Sequence, residues 1–222
     1  MFDGIAPHYD MLNHILSFGI DRGWRAKAIA MLADRKPKEV LDVATGTADM
    51  AVKLYDVLHC MVVGCDISSN MVEVGRKKVE QAGLTDFIDL KVADSEALPF
   101  SSNRFDAVTV AFGVRNFANL EKGLAQMARV LKPGGRIVVL EFSTPPNPFF
   151  RTLYNFYFKY VLPLIGGAVS KDRKAYDYLC RSAMAFPSGQ AFEAKLTAVG
   201  LKPVKTLPLT FGIATAYMAV KP

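Results

Sequence analysis

The sequence predicts an α/β protein built on a doubly wound, mostly parallel sheet of seven strands. Between residues 40 and 142, five short apolar runs alternate with stretches of helical periodicity, a pattern typical of parallel strands joined by helices. Residues 203–208 and 214–220 then form two β segments with no helix between them. Strands that follow one another without a crossover run antiparallel, so these two predict a hairpin at one edge of the sheet.

The first strand and the turn after it define the predicted ligand site. Val40–Val43 is a short apolar run that contains one acid, Asp42, as expected for a central strand buried on both faces. Thr45-Gly46-Thr47 follows as a turn, where a residue without a Cβ lets the backbone approach a ligand closely. Asp49 is the predicted N-cap of a helix over residues 50–58. Strand, turn and helix N-terminus together predict a nucleotide-sized pocket.

A second acid narrows the class of ligand. Residues 61–66 form another apolar strand that ends on Asp66, whose carboxylate can accept both hydroxyls of a ribose. The three-glycine pattern that binds a pyrophosphate is missing, because only Gly46 is present. A nucleoside without a pyrophosphate fits both observations, and S-adenosylmethionine is the ligand we expect. A single glycine turn with an acid also fits other α/β sheet proteins, and a dinucleotide-dependent dehydrogenase is the first rival.

The remaining elements place further polar residues at the same edge of the sheet. Strands are predicted over residues 87–92, 104–113 and 136–142. Helices are predicted over residues 22–32, 71–82, 120–130 and 188–199. Asp21 is the predicted cap of the first of these helices and Asn119 of the third, while Ser68 and Ser69 begin the second and Gly83 ends it. Asp94 and Ser95 follow the third strand, where they can reach an adenine edge or form an ordinary turn. Val114-Arg115-Asn116 follows the fourth strand and is predicted to point into the same crevice.

We predict one domain over residues 1–222 with four parts. These are an N-terminal helical lid (1–36), a donor-binding core (37–143), an aromatic helical cap (144–187), and a last helix with the edge hairpin (188–222). Tyr9, Asp10, Trp24 and Arg25 as a group favour the lid, although each alone fits ordinary packing. The aromatic stretch in the cap fits helical core, but Asn155 and its basic neighbours favour a face toward something apolar and anionic.

Composition argues against a disulfide-rich protein, a histidine metal site, a signal peptide and a membrane span. The three cysteines fit no disulfide framework, so Cys60 and Cys65 are predicted to be buried small hydrophobes in a reducing compartment. The three histidines show no metal-ligand spacing, and we expect no metal. Asp3 and its neighbours interrupt any signal-peptide pattern, and polar residues and prolines within 149–169 argue against a membrane span.

The net charge of +6 is concentrated in the C-terminal third. Residues 1–146 hold 17 Lys and Arg against 18 Asp and Glu, whereas residues 147–222 hold 10 against 3. Such a basic, aromatic-rich third is typical of nucleic-acid binding or of contact with an anionic membrane, and solvated lysines explain the charge equally well. The loop after the fourth strand lacks a base-flipping motif of the Asn-Pro-Pro-Tyr type, so we expect no nucleic-acid partner.

Sequence blocks along the whole chain carry a resemblance to a known family. They are Phe2-Asp-Gly-Ile-Ala with Tyr9-Asp10; Ser17-Phe-Gly with Arg22-Gly-Trp24-Arg25; Asp42 to Asp49; Asp66-Ile-Ser-Ser-Asn-Met71; Leu98-Pro-Phe100 with Phe105-Asp106; Phe112-Gly-Val-Arg115-Asn116; Val130-Leu-Lys-Pro-Gly-Gly135 with Leu140-Glu-Phe-Ser143; and Tyr176-Asp-Tyr178-Leu179 with Phe186-Pro187. In these blocks the chain resembles the ubiquinone/menaquinone biosynthesis C-methyltransferases. The resemblance implies the Rossmann-like fold of class I S-adenosylmethionine-dependent methyltransferases.

The resemblance implies methylation of a ring carbon on a polyprenylated quinol, most simply demethylmenaquinol to menaquinol. The methoxy-benzoquinol step toward ubiquinol and a non-catalytic donor-binding scaffold are the alternatives. It assigns donor contacts to Thr47, Asp66, Asp94 and Ser95, and the same blocks add Gly46, Asp42, Ile67 and Met71 to the predicted donor site. Three residues depart from the family pattern: Ala48 replaces a common Gly, Asp21 a common His, and Ala111 a donor-contacting Ser of some members.

The chemistry requires a carbon nucleophile, which forms when a quinol hydroxyl loses its proton. Arg115 and Asn116 are predicted to stabilise the resulting oxyanion, directly or through water. Tyr9, Asp10, Asp21 and Tyr178 are candidates to place the ring or to take the proton. We expect a cytoplasmic protein held at the inner face of the membrane by its basic third, with residues 149–169 as the path of the prenyl tail. Both a monomer and a homodimer stay open.

Overall fold

A computed structural model describes residues 19–157, 160, 178 and 181–222. Its sheet has seven strands: β1 Glu39–Val43, β2 Met61–Asp66, β3 Ile88–Val92, β4 Phe105–Ala111, β5 Leu131–Phe142, β6 Lys202–Leu209 and β7 Ala214–Val220. They lie in the order β3-β2-β1-β4-β5-β7-β6, and β7 runs antiparallel to both of its neighbours. The predicted mostly parallel sheet with an antiparallel hairpin at its edge is confirmed.

Helices pack on both faces of this sheet. They are α1 Ile20–Ala30, α2 Asp49–Leu58, α3 Ser69–Gln81, α4 Leu120–Val130, α5 Pro148–Phe156 and α6 Gln190–Ala198. One buried cluster joins α1, α2 and α3 to one face of the strands, and a second joins α4 and α6 to the other. Alternate strand residues divide between the two clusters, as Val40 and Leu41 do, because successive side chains of a strand point to opposite faces.

The order of the strands places a crevice between β1 and β4. From β1 the chain first builds outward through β2 and β3, and then returns to pair β4 with the other side of β1. The loops that follow β1 and β4 therefore diverge from one another at the carboxyl ends of these strands. In open α/β sheets such a switch point is where ligands bind.

Two of the four predicted helix caps are confirmed. The Ser68 hydroxyl accepts a hydrogen bond from the Met71 backbone N–H at 3.2 Å, and the Asn119 side chain accepts one from the Lys122 N–H at 3.0 Å. Asp21 is wrong as a cap, because α1 already begins at Ile20 and Asp21 is buried in its first turn.

Asp49 is also wrong as a cap. The residue before α2 is Ala48, which has a left-handed φ of +69°, and Asp49 is the first helical residue, ion-paired with Lys78. An N-cap side chain normally acts from an extended backbone, and the tight turn before α2 does not provide one. Ala48 is fully buried in this strained conformation at the position where the family pattern commonly has glycine.

The strand β5 begins five residues earlier than predicted. Phe105 pairs with Leu131 and Ala107 pairs with Arg136, so the Lys-Pro-Gly-Gly segment at 132–135 forms a bulge at the start of the strand instead of a separate turn. This bulge lies at the amino-terminal edge of the sheet, away from the crevice.

Gly64 in β2 allows close packing beneath the turn after β1. A Cβ at Gly64 would lie 2.5 Å from Leu90 Cδ2 and 2.9 Å from Thr45 Oγ1, whereas a Cβ at the helical Gly23 would meet nothing within 4 Å. We expect Gly64→Ala to lower the free energy of unfolding by about 1–3 kcal/mol through overpacking. Gly23→Ala is the matched control and is expected to raise it by up to about 1 kcal/mol, because alanine favours helix. Urea unfolding of both variants measures this, and equal effects would contradict the close packing.

Candidate functional site

A cavity of about 260 Å³ opens at the carboxyl ends of β1, β2 and β4. Its wall brings together residues that follow four different strands. Eight of the predicted site residues line it: Gly46, Thr47, Asp66, Ile67, Met71, Asp94, Ser95 and Asn116. This cavity is the candidate active site.

Asp66 fixes the turn after β1 to the end of β2. Its Oδ2 accepts a hydrogen bond from the Gly46 N–H at 2.9 Å, and its Oδ1 accepts one from the Ser68 N–H at 2.9 Å. Gly46 has a φ of +56°, and a Cβ there would meet no protein atom within 4 Å. The backbone conformation, and not crowding by the protein, therefore explains the glycine at this position.

Asp42 supports the turn from below. Its carboxylate accepts hydrogen bonds from the hydroxyls of Thr45 and Thr109, both at 2.7 Å, and it is buried. Asp42 does not line the cavity, so its predicted contact with the donor stays a prediction. In the structure it holds the hydroxyl of Thr45 in place. Burial raises the pKa of Asp42 to about 6, although the two hydroxyls and the nearby Arg25 lower it.

The raised pKa of Asp42 predicts a pH-dependent loss of stability. The folded protein holds this proton more tightly than the unfolded chain does, so the stabilisation is present below about pH 4 and is lost as pH rises through about 6. Relative to Asp42→Asn, the wild type should lose about 3 kcal/mol of unfolding free energy over this range. Urea unfolding at a series of pH values measures the difference, with Asp56→Asn, which removes an exposed carboxylate, as control. Parallel curves for wild type and Asp42→Asn would contradict the buried acid.

The loop after β3 contributes two acids, Asp94 and Glu96, to the cavity wall. Asp94 accepts a hydrogen bond from the Glu96 N–H at 2.8 Å, which holds the loop in a turn, and Ser95 lies between them. Ile67, which follows Asp66, is 70% exposed and presents an apolar surface to the same cavity. The wall therefore includes the carboxylates of Asp66 and Asp94 and one exposed aliphatic side chain, a set suited to the ribose and adenine of a nucleoside.

Arg115 is bound by the protein itself. Its Nη1 donates hydrogen bonds to Glu141 Oε1 at 2.7 Å and to the Phe112 carbonyl at 2.6 Å, and both ionic side chains are almost fully buried. Arg115 is not among the residues that line the cavity. The structure thus places Arg115 in a buried ion pair with Glu141, and its predicted contact with the oxyanion stays a prediction.

Glu141 is the site-forming residue that the sequence prediction did not single out. Its carboxylate also accepts hydrogen bonds from the backbone N–H groups of Phe142 and Arg115, at 2.9 and 3.3 Å. The signal in the sequence was an acid at the end of an otherwise apolar strand, because a charge buried there requires a partner. Glu141 and Arg115 together hold the loop after β4, in which Phe112 has a left-handed φ of +57°.

Asn116 is a residue of this loop that lines the cavity. It lies in the short 3₁₀ turn Val114–Asn116. Its Oδ1 is buried and has no hydrogen-bond partner within the described part of the chain. A buried, unsatisfied polar atom in a cavity wall indicates a position where a ligand supplies the missing partner.

The helix α1 contributes the remaining wall. Arg25 lines the cavity, lies 5.4 Å from the centre of the Phe112 ring, and has its Nε 3.6 Å from a carboxylate oxygen of the buried Asp21. Trp24 packs against Phe112 and donates a hydrogen bond to the Thr210 hydroxyl at 2.8 Å.

The other predicted catalytic residues are not in the wall. Asp21 is buried next to Arg25 and Tyr178 is half-buried, and neither of them lines the cavity. Tyr9 and Asp10 lie outside the described residues, as does most of the predicted aromatic cap. Ala111, where some family members have a donor-contacting Ser, is part of the cavity wall. Cys60 and Cys65 are buried free thiols, as predicted.

The fold and this cavity define an S-adenosylmethionine-dependent methyltransferase. The seven-stranded sheet with β7 antiparallel, the single-glycine turn and the acid at the end of β2 are its defining features. The chain belongs to the ubiE/COQ5 methyltransferase family, whose profile matches residues 1–221.

Relatives of known name match the full length of the chain. Demethylmenaquinone methyltransferase of Bacteroides fragilis is 47% identical over 222 residues, which cover 100% of this chain and 91% of the relative. The protein of the same name from Thermus thermophilus is 46% identical, with 100% of each chain covered. Ubiquinone/menaquinone biosynthesis C-methyltransferase UbiE of a Geobacter species is 48% identical and covered to 94%.

Solved structures support the fold. A Haloferax volcanii putative methyltransferase in complex with the Trm112 activator superposes with a TM-score of 0.69 at 19% identity, covering 100% of this chain and 98% of the other. A Thermotoga maritima methyltransferase, described as a possible histamine N-methyltransferase, also gives a TM-score of 0.69, at 17% identity and with the same coverage. At these identities the likeness extends to the fold alone.

Proposed function

We propose that this protein methylates a ring carbon of demethylmenaquinol, with S-adenosylmethionine as the methyl donor, to give menaquinol. The observation that carries the proposal is the composition of one cavity. The residues after β1, β2 and β3 that we propose bind the nucleoside line the same cavity as Asn116 after β4, whose Oδ1 has no hydrogen-bond partner among the described residues. The full-length similarity to demethylmenaquinone methyltransferases supports the choice of acceptor.

The donor half of the cavity fits S-adenosylmethionine. Asp66 would take the ribose hydroxyls, Asp94 and Ser95 the adenine edge, and Gly46 and Thr47 the part near the sulfonium. When bound, S-adenosylmethionine supplies a methyl group that is already activated for displacement. The protein therefore has to align the acceptor and help its hydroxyl to ionise, and these steps need no redox partner.

Asn116 is the residue we place against the acceptor. Loss of a proton from the quinol hydroxyl spreads negative charge onto the neighbouring ring carbon, and a hydrogen-bonding side chain at that oxygen favours the change. The Asn116 Oδ1 in the cavity wall is an unsatisfied acceptor, to which the quinol hydroxyl can donate a hydrogen bond before it ionises, and the N–H2 group of the same amide is the donor that can stabilise the oxyanion. Arg115 acts from behind it as a positioning residue, since its guanidinium holds Glu141 and the Phe112 carbonyl. Arg25 is the basic residue among the described residues that line the cavity, and we place it on the side of the developing charge.

The decisive assay compares two acceptors under reducing conditions. We expect labelled methyl to appear on the ring carbon of a demethylnaphthoquinol and, more slowly, on that of a 2-methoxy-6-polyprenyl-1,4-benzoquinol. A faster benzoquinol reaction would transfer the assignment to the ubiquinone step. Donor binding without a methylated product from either acceptor would favour the scaffold alternative.

An exposed aromatic patch lies at the same edge of the sheet as the cavity. On α5, Phe149, Leu153 and Phe156 are 71%, 57% and 55% exposed, at the spacing of one helix face. Phe150 on the same helix stacks on the ring of Phe211 at 4.1 Å. No helix among the described residues is long and apolar enough to cross a membrane. We propose that this patch rests on the bilayer, where the prenyl tail of the substrate lies, and that the basic C-terminal third favours anionic lipid.

The membrane proposal predicts a loss of vesicle binding. Replacing Phe149, Leu153 and Phe156 together by serine should weaken flotation with anionic liposomes at least tenfold, because each large apolar side chain contributes about 1.5–3 kcal/mol when fully buried. Val57, Met61 and Val204 are also exposed, and their triple serine variant is the control. Flotation that is unchanged by the patch variant, or insensitive to salt and anionic lipid, would contradict the proposal.

A further inference from the structure

A second cavity, of about 430 Å³, lies at the opposite edge of the sheet from the candidate active site. Its wall is formed by the loop before β1, the start of β4 and the bulge that begins β5. These are the amino ends of parallel strands, so the length of the strands separates this cavity from the candidate active site at their carboxyl ends. We refer to it as the basic cavity, after Arg35, Lys36, Lys38, Lys132 and Arg136 in its wall.

Two of these five cations are already neutralised. Lys132 donates a hydrogen bond to the carboxylate of Asp106, which also accepts hydrogen bonds from the Lys38 and Glu39 backbone N–H groups at 2.9 Å. Arg136 is paired with Asp34, and its Nη1 donates a hydrogen bond to the Met31 carbonyl at 2.9 Å. These contacts fix both cations to the wall.

The other three cations form no ion pair within the described chain. Arg35, Lys36 and Lys38 lie in one short loop, and all three are exposed. The Nε of Arg136 is buried and also lacks a hydrogen-bond partner among the described residues. The basic cavity therefore has an excess of three positive charges and one unsatisfied buried donor.

We propose that the basic cavity binds a multiply charged, phosphate-bearing anion. Three cations around a concave surface attract such an anion more strongly than the same charges on a flat surface, because the low-dielectric wall focuses their field. A guanidinium also matches the geometry of phosphate oxygens, while lysines add point charges. The chemistry is shared by a soluble phosphate compound and by a lipid headgroup. A soluble compound is favoured, since the aromatic patch proposed to rest on the bilayer lies at the other edge of the sheet.

The test uses the full chain and inorganic pyrophosphate as the probe. Isothermal calorimetry at low salt should show one site per chain in the wild type. Arg35→Gln, Lys36→Gln and Lys38→Gln combined should weaken it at least tenfold. A matched triple variant, Lys77→Gln, Lys202→Gln and Lys205→Gln, removes the same charge from exposed positions outside the cavity and should change the affinity less than twofold. Donor binding should be the same in all three proteins, which also verifies that the variants are folded.

A second arm identifies the source of the anion. Binding to phosphatidic acid vesicles that is lost in the loop variant, with no binding of free pyrophosphate, would support the site and assign it to a lipid headgroup. No binding of either probe to the wild type would overturn the proposal. Equal losses in the two triple variants, or competition between pyrophosphate and S-adenosylhomocysteine, would overturn it as well.

Discussion

Replacement of Asp66 by alanine is expected to weaken S-adenosylmethionine binding by about a hundredfold or more. The carboxylate holds the backbone N–H groups of Gly46 and Ser68 at 2.9 Å, and it is the group that we propose receives the ribose hydroxyls. Hydrogen bonds to a charged group contribute about 1.5–3 kcal/mol each, and two of them correspond to at least a hundredfold in affinity. Calorimetric titration with the donor gives the change directly.

The control for this variant is Asp89→Ala. Asp89 is an exposed carboxylate on the neighbouring β3 and forms an ion pair with Lys91 at 3.1 Å, outside the cavity wall. Its loss should leave the donor affinity within a factor of two. A donor affinity that changes less than threefold in Asp66→Ala would show that the nucleoside does not depend on this acid.

Arg115→Ala is expected to lower kcat by about a hundredfold, the typical effect of losing a group that organises an oxyanion site. It should also lower the unfolding free energy by about 3–5 kcal/mol, because the fully buried carboxylate of Glu141 is left without its partner. At a temperature where the variant is fully folded, loss of stability alone would not lower kcat. Steady-state kinetics and urea unfolding on the same preparations separate the two effects.

A double variant separates positioning from stability. Arg115→Met with Glu141→Met removes both buried charges, and we expect most of the lost stability to return, while kcat stays low because the Phe112 carbonyl and Asn116 are no longer held. Arg104→Ala is the control, because Arg104 pairs with Glu39 at the amino edge of the sheet and should leave kcat unchanged. Wild-type kcat in Arg115→Ala would remove Arg115 from the mechanism.

The arrangement of strands was predictable from the sequence because short, mostly apolar runs alternate with stretches of helical periodicity, and the run that forms β2 ends at the polar Asp66. Strand β2 was predicted with its exact bounds, Met61–Asp66, for this reason. The rule that ligands bind at the carboxyl ends of strands then placed Asp66, Asp94 and Asn116 in one cavity, as the structure shows. None of these steps requires knowledge of side-chain rotamers.

The direction of individual side chains was not predictable in the same way. The loop after β4 turns through a left-handed Phe112 and a 3₁₀ turn, so that Asn116 lines the cavity and Arg115 binds Glu141 instead. The turn before α2 likewise has a positive φ at Ala48, a conformation that alanine rarely adopts. Because Ala48 therefore precedes the helix, Asp49 is its first residue and not its cap. Such conformations depend on tertiary contacts that a local sequence pattern does not contain.

The most direct test of the proposed function is a crystal structure of the full chain grown with S-adenosylhomocysteine. We expect the nucleoside in the cavity at the ends of β1, β2 and β4, with its ribose hydroxyls on the Asp66 carboxylate and its adenine beside Asp94 and Ser95. A nucleoside bound elsewhere, or a dinucleotide in this cavity, would contradict a methyl donor site here.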